Sequence, residues 1–372
     1  MQAEFANVSA ELLESTSIAQ RIDLVLIGTR GKVGSAFRRQ LFEQQLRLQA
    51  EANLDLRLLA SFDRRGFAFD VHGLAPASMD SHMKARQSGD VEQLLDYVAR
   101  RGATRTLVVD CTASEEVADL YPRLLASGMG IVAANKRANA RQLSIYNELQ
   151  RMARMHGVPY RYETTVGSAI PLLGPLRDLR LRGERVIAVQ GVLSGSLSYI
   201  LKRMHEGCAL SAAVAEARDL GFTEPDPMED LLAIDLSRKL LVLAREAGFA
   251  IELEDVVIEP FIDRDLHAGD DLIQSLQTVD AAWREKIRSA QQRDECWVAI
   301  AEVNCDGGRI SVCCVPAQSA FAQLKPGQNL ISIRTELQDQ MPLSVSGPGA
   351  GVEITAAGVL SDVLTAATCW SR

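Results

Sequence analysis

The sequence predicts an α/β fold: a doubly wound parallel sheet with an α+β portion inserted into it. Three observations carry that expectation. An apolar, β-prone run at 22–27 (IDLVLI) empties into a glycine-rich loop, GTRGKVG, and then into apolar residues at helical spacing. Short apolar runs go on alternating with helical patterns to about residue 160, as parallel strands joined by crossover helices do. Beyond that point the rhythm changes to successive helices followed by a hairpin, the pattern of helices laid on one face of an antiparallel sheet.

Taken in order, the helix after the glycine loop is marked by Val33, Phe37, Leu41 and Phe42. A second strand, Leu56 to Phe62, ends at Asp63, and a third, Thr106 to Asp110, ends at Cys111-Thr112-Ala113. A helix carrying Val117, Leu120 and Leu124 leads to a fourth strand, Gly130 to Ala134, ending at Asn135-Lys136. In a sheet of this kind ligands bind beyond the carboxyl ends of the strands. The later half reads as a strand from Arg185 to Leu193, then helices near 197–206, 210–219 and 230–247. Two strands, Trp297 to Val303 and Arg309 to Val315, straddle a CDGG turn as a hairpin. GPGAG (347–351) then leads into a helix from Ala356 to Ala366, while the stretch 260–280 has no legible period.

Composition narrows the function classes. The formal charge of the 372-residue chain is -8, and its basic pairs (Arg38-Arg39, Arg64-Arg65, Arg100-Arg101) are isolated, so no nucleic-acid footprint or affinity for an anionic membrane is expected. No apolar run reads as a spanning helix, and the opening segment lacks the basic-then-apolar order of a signal peptide. Residues 1–20 read as a polar N-terminal extension, a frayed helix or linker. The seven cysteines include no CxxC pair, and Cys313 and Cys314 point to opposite faces of a strand. A reduced, cytoplasmic protein is the expectation, with thiols as small packing residues.

Gly28, Gly31 and Gly34 form a GxxGxxG loop between strand and helix. Such glycines permit a tight turn and close approach to a pyrophosphate, which the helix N-terminus attracts; a plain strand–helix turn is the rival reading. Arg30, Lys32 and Val33 would then border the phosphates. Asp63 lies where a ribose-binding acid belongs, but Arg64 and Arg65 follow at once and could hold a 2′-phosphate instead. NAD and NADP both stay open, as does an ordinary exposed loop. The segment 221–239, GFTEPDPMEDLLAIDLSRK, is dense in acid; Pro225 and Pro227 stiffen the turn at Glu224, and Asp235 and Lys239 fall at i and i+4 on one helix face. A solvated ion pair is the plain alternative, but Leu231, Leu232, Ile234, Leu236, Leu240 and Leu241 surround the pair and favour burial.

With these motifs the chain resembles homoserine dehydrogenase, in the form found as the C-terminal half of bifunctional aspartokinase–homoserine dehydrogenases. The likeness runs from about residue 22 to the end through VDCTAS (109–114), ANK (134–136), ETTVGSAIP (163–171), GVLSGSLSYI (191–200), GFTEPDP (221–227), DLSRKLLVLAREAG (235–248) and GPGAG (347–351). The resemblance implies a Rossmann-type domain (21–160 with 341–372) and an inserted domain (161–340) for substrate binding and dimerisation. It implies that Lys239 and Lys136 are catalytic lysines, that Glu224 and Asp235 bind substrate, and that Thr112, Ala113, Lys136, Gly221 and Gly351 border NAD or NADP. The backbone carbonyls of Glu163, Val166, Ser168 and Ile170 match a site for a monovalent cation such as sodium. No kinase half and no C-terminal regulatory domain are expected, and a homodimer is.

The implied chemistry suits these residues. An ammonium is a natural proton donor to a forming alkoxide, and a neighbouring cation such as Lys136 is expected to tune Lys239. Carboxylates at 224 and 235 would hold the substrate's ammonium. The chain departs from the family in three places: the loop reads GxxGxxG instead of GxGxxG, Ser168-Ala169 replaces the more usual Ala-Gly or Gly-Gly pair in the cation loop, and Leu232-Ala233 replaces a polar residue and glycine. Two enzymes that tolerate the loop, aspartate-semialdehyde dehydrogenase and dihydrodipicolinate reductase, are disfavoured. The first needs a nucleophilic cysteine with a histidine base and the second a histidine-rich motif, and the five histidines are scattered. An inactive nucleotide-binding regulator is the reading from another class.

Overall fold

The structure is a computed structural model and describes residues 19–75, 83–85, 90–100, 105–223, 226–259, 261–263, 266 and 271–370. Strand β1 (Gln20–Ile27) is buried along almost its whole length, because helices cover both faces of the sheet it centres. It runs through the glycine loop into α1 (Lys32–Ala52), which ends at Asn53 in the left-handed conformation (φ 52°). Then come β2 (Leu54–Phe62), β3 (Gly66–Phe69), β4 (Lys84–Ala85), α2 (Asp90–Arg100) and β5 (Thr106–Asp110). The run continues through α3 (Glu115–Asp119), α4 (Tyr121–Ala126), β6 (Gly130–Ala133), α5 (Leu143–His156) and β7 (Tyr160–Arg161). The sheet order is β4-β3-β2-β1-β5-β6-β7, parallel from β2 to β7, so the strand order reverses between β1 and β5. That reversal opens the crevice in which a doubly wound sheet holds its ligand.

After α6 (Leu173–Leu181) the chain builds a second sheet. Its elements are β8 (Val186–Val192), α7 (Gly195–His205), α8 (Leu210–Asp219), α9 (Pro227–Leu231), α10 (Ile234–Ala247), β9 (Val256–Ile258), α11 (Leu272–Gln277), α12 (Asp280–Gln292), β10 (Glu295–Asn304), β11 (Gly307–Pro316), β12 (Gln328–Thr335) and β13 (Leu343–Pro348). The order β13-β12-β8-β10-β11-β9 is antiparallel except for β9 against β11. The last helix, α13 (Val352–Cys369), returns to the first sheet. There Ala356, Val359, Val363 and Ala367 pack with Phe37 and Leu41 of α1 in one core, while a larger core joins the other face of the first sheet to the second half.

Several expectations need correction. The helix expected over 230–247 is two helices, because Ala233 sits at φ 57° between α9 and α10 and breaks the hydrogen-bond ladder. Likewise the helix expected after Ala113 is split at Leu120, with Pro122 in the first turn of the second piece. Leu343–Pro348 pairs with β12 in the second sheet, so the chain crosses back at Gly349–Gly351 and not near residue 341. The helix Val352–Cys369 is long and apolar enough to span a membrane, against the sequence expectation. Its apolar residues are used against α1, and it carries the buried Asp362. Residues 1–18 of the expected extension lie outside the described residues.

Candidate active site

The glycine loop is built by contact distances. A Cβ on Gly34 would stand 2.2 Å from the carbonyl oxygen of Gly28, and one on Gly28 (φ 91°) would stand 2.9 Å from that of Cys111 and 3.0 Å from Thr112 Cγ2. These glycines let α1 start directly against the ends of β1 and β5, beside Thr112 and Ala113. Gly31 is the N-cap of α1; no side chain caps it and no acid occupies the first turn, which contains Lys32 and Val33. That helix end is an open cradle of N–H groups, fit for a dinucleotide's pyrophosphate.

Asp63, at the end of β2, does not face an open ribose site. Arg30 grips it as a fork, through Nε on Oδ2 and Nη2 on Oδ1 (2.7 Å), and Oδ1 also accepts the N–H groups of Arg65 (2.7 Å) and Gly66 (3.0 Å). The Arg30 guanidinium, first among the causes, holds the Asp63 carboxyl below its usual range. Arg64 and Arg65 lie exposed beside this pair.

Beyond β6 lies a three-residue ionic cluster. The Asp235 carboxylate receives Lys136 Nζ on one oxygen (2.5 Å) and Lys239 Nζ on the other (2.8 Å), and Lys239 also donates to the carbonyl of Leu193 (3.2 Å). Lys136 and Lys239 are thus held by attraction to a shared anion, and lysine–lysine repulsion does not dominate the cluster. Asp235 is largely buried; that desolvation works against its charge, but the two ammoniums overcome it and hold the carboxyl far below its ordinary range. Of Lys239's three donors, the third has no partner among the described residues.

Groups that the sequence reading did not single out set this cluster in place. Asp110, fully buried at the end of β5, accepts from Thr112 N (2.8 Å), Tyr121 Oη (2.7 Å) and Asn135 Nδ2 (3.0 Å). Asn135 immediately precedes Lys136, so this network fixes where Lys136 leaves β6. On the other side Ser194 caps α7, its Oγ lies 3.0 Å from Ser196 Oγ, and Ser196 donates to Asp230 (2.6 Å). The available signal was a charged residue closing the apolar run LVV (107–109), an acid that burial forces into a polar network.

The remaining sequence candidates are placed as follows. Gly221 (φ 73°) terminates α8, and no hydrogen bond joins it to the glycine loop among the described residues. Gly351 (φ 136°) is the N-cap of α13, whose Glu353 accepts from Arg39 and Gln40 of α1. Glu224 and Pro225 lie outside the described residues. Glu163, Val166, Ser168 and Ile170 share one tight turn, with Gly167 and Ser168 at φ 72° and 58° and Ser168 Oγ 2.7 Å from Thr355 Oγ1. The Glu163 carboxylate is turned away to accept the N–H groups of Leu172, Leu173 and Gly174, which leaves only its carbonyl for a cation. Asp362, which accepts Glu163 N–H, has its carboxyl pushed up by burial to about 6.

Two family models cover this arrangement. Residues 30–163 match the homoserine dehydrogenase NAD binding domain, and residues 171–364 match homoserine dehydrogenase itself. The chain belongs to the homoserine dehydrogenase family. This is a family of NAD(P)-dependent oxidoreductases, and the resemblance read from the sequence motifs is borne out. The bifunctional aspartokinase/homoserine dehydrogenase of Haemophilus influenzae is 34% identical over 92% of the chain. The chain spans 42% of that protein's length, about two fifths. A Candida auris protein of unknown function superposes with TM-score 0.84 at 27% identity, covering 95% of this chain and 99% of its own. A hyperthermophilic archaeal homoserine dehydrogenase in complex with NADPH shares the fold, with TM-score 0.71 at 22% identity, covering 95% of this chain and 99% of its own.

Proposed function

We propose that this chain interconverts L-homoserine and L-aspartate 4-semialdehyde with NAD(P), in the cytoplasm and as a homodimer. The observation that carries the reading is the Lys136–Asp235–Lys239 cluster, which has a spare ammonium donor and belongs to a chain of the homoserine dehydrogenase family. The nicotinamide, when bound, supplies the hydride. The open N-terminus of α1 and the glycine loop hold the pyrophosphate, and Gly351 borders the nicotinamide side of the crevice. In the reducing direction Lys239 donates the proton of its free N–H to the forming alkoxide oxygen, while Asp235 and the Leu193 carbonyl hold the other two donors and fix its aim. Lys136 keeps Asp235 oriented and adds positive charge where the alkoxide develops. Glu224 supplies the negative charge that selects the substrate's ammonium, and Asp235, with a lysine on each oxygen, acts on the substrate chiefly by holding Lys239 in place.

The fork of Arg30 on Asp63, with Arg64 and Arg65 alongside, supports NADP over NAD: the acid that would accept a ribose 2′-hydroxyl is occupied, and cations surround the place of a 2′-phosphate. A carbonyl-lined turn without a free carboxylate supports a monovalent cation at 163–170, since divalent hard cations call for carboxylates. The seven free cysteines support a reducing compartment. The test is reduction of NADP and NAD by purified protein with and without homoserine. Absence of homoserine-dependent turnover in a folded protein that binds NADPH would leave a nucleotide-binding regulator in its place.

A further inference from the structure

A second cleft, of about 800 Å³, is lined by no residue of the glycine loop. Its walls come from both halves of the chain: α5, the edge strand β7 and the end of α13 from the first sheet, and α6 with the C-terminal end of α10 from the second half. Although the chain is acidic overall, five arginines line this cleft (Arg154, Arg161, Arg177, Arg180 and Arg245) against one lining carboxylate, Glu246.

The internal pairing of these charges can be followed one by one. Arg177 Nη2 lies 3.3 Å from Glu246, which is anchored further by Tyr146 Oη (3.1 Å) and by Tyr162 Oη. Arg245 is turned inward to Asn139 O (2.7 Å) and Glu252 (2.9 Å). Arg161 reaches Asp362 only at 3.4 Å. Arg180 has no carboxylate; its Nη1 lies 3.1 and 3.4 Å from the carbonyls of Glu246 and Arg245, leaving the rest of the fork unspent. Arg154 has no acceptor at all among the described residues. Five guanidiniums meet three carboxylates, so two positive charges, Arg154 and Arg180, stand unmatched in one concave site. A balanced ion-pair network leaves no such surplus; an excess of like charge gathered at the mouth of a concave site, here on the exposed Arg154 and Arg180, focuses a field that draws an anion.

We propose that this cleft binds a small dianion, a phosphate monoester or a dicarboxylate, between the forks of Arg154 and Arg180, with Phe249 and Trp370 as its apolar border. Planar guanidiniums match the paired oxygens of both groups, and the count of unmatched charges sets the ligand's charge at two. Such a ligand ties α5 to α6, and so fastens together the two halves of the chain that also meet through Lys136 and Asp235. The site does not depend on the catalytic reading, because its binding is measured without substrate.

The test is calorimetric titration of the whole protein with inorganic phosphate, succinate and acetate at constant ionic strength, with and without saturating NADPH. Saturable binding of one phosphate or one succinate is expected, unaffected by NADPH, with acetate about tenfold weaker or worse. Arg154→Glu, at an exposed position, and Arg180→Gln should each weaken the dianion about tenfold or more, with the folded circular dichroism spectrum retained. Tighter phosphate than succinate assigns a phosphate ester, and the reverse a dicarboxylate. Binding that NADPH displaces and neither variant alters belongs to the glycine loop and overturns the proposal. So does the lack of saturation by either dianion in the millimolar range, which would leave the cleft to an acidic protein segment.

Discussion

Replacing Arg30 with alanine separates the two demands placed on the end of β2. In the folded chain Arg30 covers Asp63 with a two-point fork, yet its side chain is 40% exposed, so the pair contributes only about 0–1 kcal/mol to stability and its loss leaves the fold intact. The effect on the cofactor is larger. A charge-assisted hydrogen bond to a phosphate is worth about 1.5–3 kcal/mol, so NADPH should bind about ten- to a hundredfold more weakly. Beyond the lost contact, the uncovered Asp63 carboxylate would repel the 2′-phosphate. NADH should bind as well as before or better, because the freed carboxylate can accept the ribose 2′-hydroxyl. Fluorescence titration of both reduced cofactors, without homoserine, gives the ratio directly. Equal weakening of NADH and NADPH would mean that Arg30 serves the shared pyrophosphate, and unchanged affinities would place the adenosine ribose elsewhere. Either result refutes the argument that the fork selects the cofactor. Arg64→Ala with Arg65→Ala should act in the same sense, weakening NADPH more than NADH.

Four further outcomes follow from the same geometry. Lys239→Ala should lower kcat by about 10²–10⁴-fold with NADPH affinity kept, and near-normal turnover would remove Lys239 as proton donor. Glu224→Gln or Asp235→Asn should raise the KM for homoserine or cut kcat while leaving the NADPH dissociation constant unchanged; the opposite split would assign these acids to the cofactor. Asp235, held far below its ordinary range by two lysines, contributes stability that is fully present above the unfolded carboxyl value of about 3.9 and is lost as pH falls below it toward the folded value. Melting temperatures across the acid range should therefore drop less steeply for Asp235→Asn than for the parent. Ala233→Gly should raise stability by about 1 kcal/mol, because a left-handed residue with a Cβ costs about 1–2 kcal/mol and glycine's extra chain entropy returns part of that. A lower melting temperature for that variant would show that the Ala233 side chain repays its strain by packing.

Much of this molecule was legible in the chain because periodicity and steric need are local properties. IDLVLI followed by three spaced glycines dictates strand, turn and helix start, and the structure shows why: at Gly34 there is no room for a Cβ. Asp235 and Lys239 share a face because 3.6 residues make a helical turn, a fact of the backbone that needs no tertiary partner. The strand Gln328–Thr335 was not among the expected ones: NLISIR alternates between the faces of the sheet, but its short polar residues weaken the apolar signal. Ala233 broke a helix that the apolar pattern alone would have run straight through.

What the tertiary structure alone decided is which charges meet. Lys136 and Asp235 lie 99 residues apart, Arg30 and Asp63 lie 33 apart, and nothing local pairs them. The sequence offered Lys136 as a cation acting on Lys239 and offered Asp63 as an open ribose acid; folding put a carboxylate between the two lysines and a guanidinium over the acid. The arginines of the second cleft come from separate helices and a strand, so their concentration in one concavity has no trace in the linear order. Electrostatic energy depends on distance and on exclusion of water. Both are fixed only when sheet, helices and loops have packed, so residue types are written in the sequence and their partners are written in the fold.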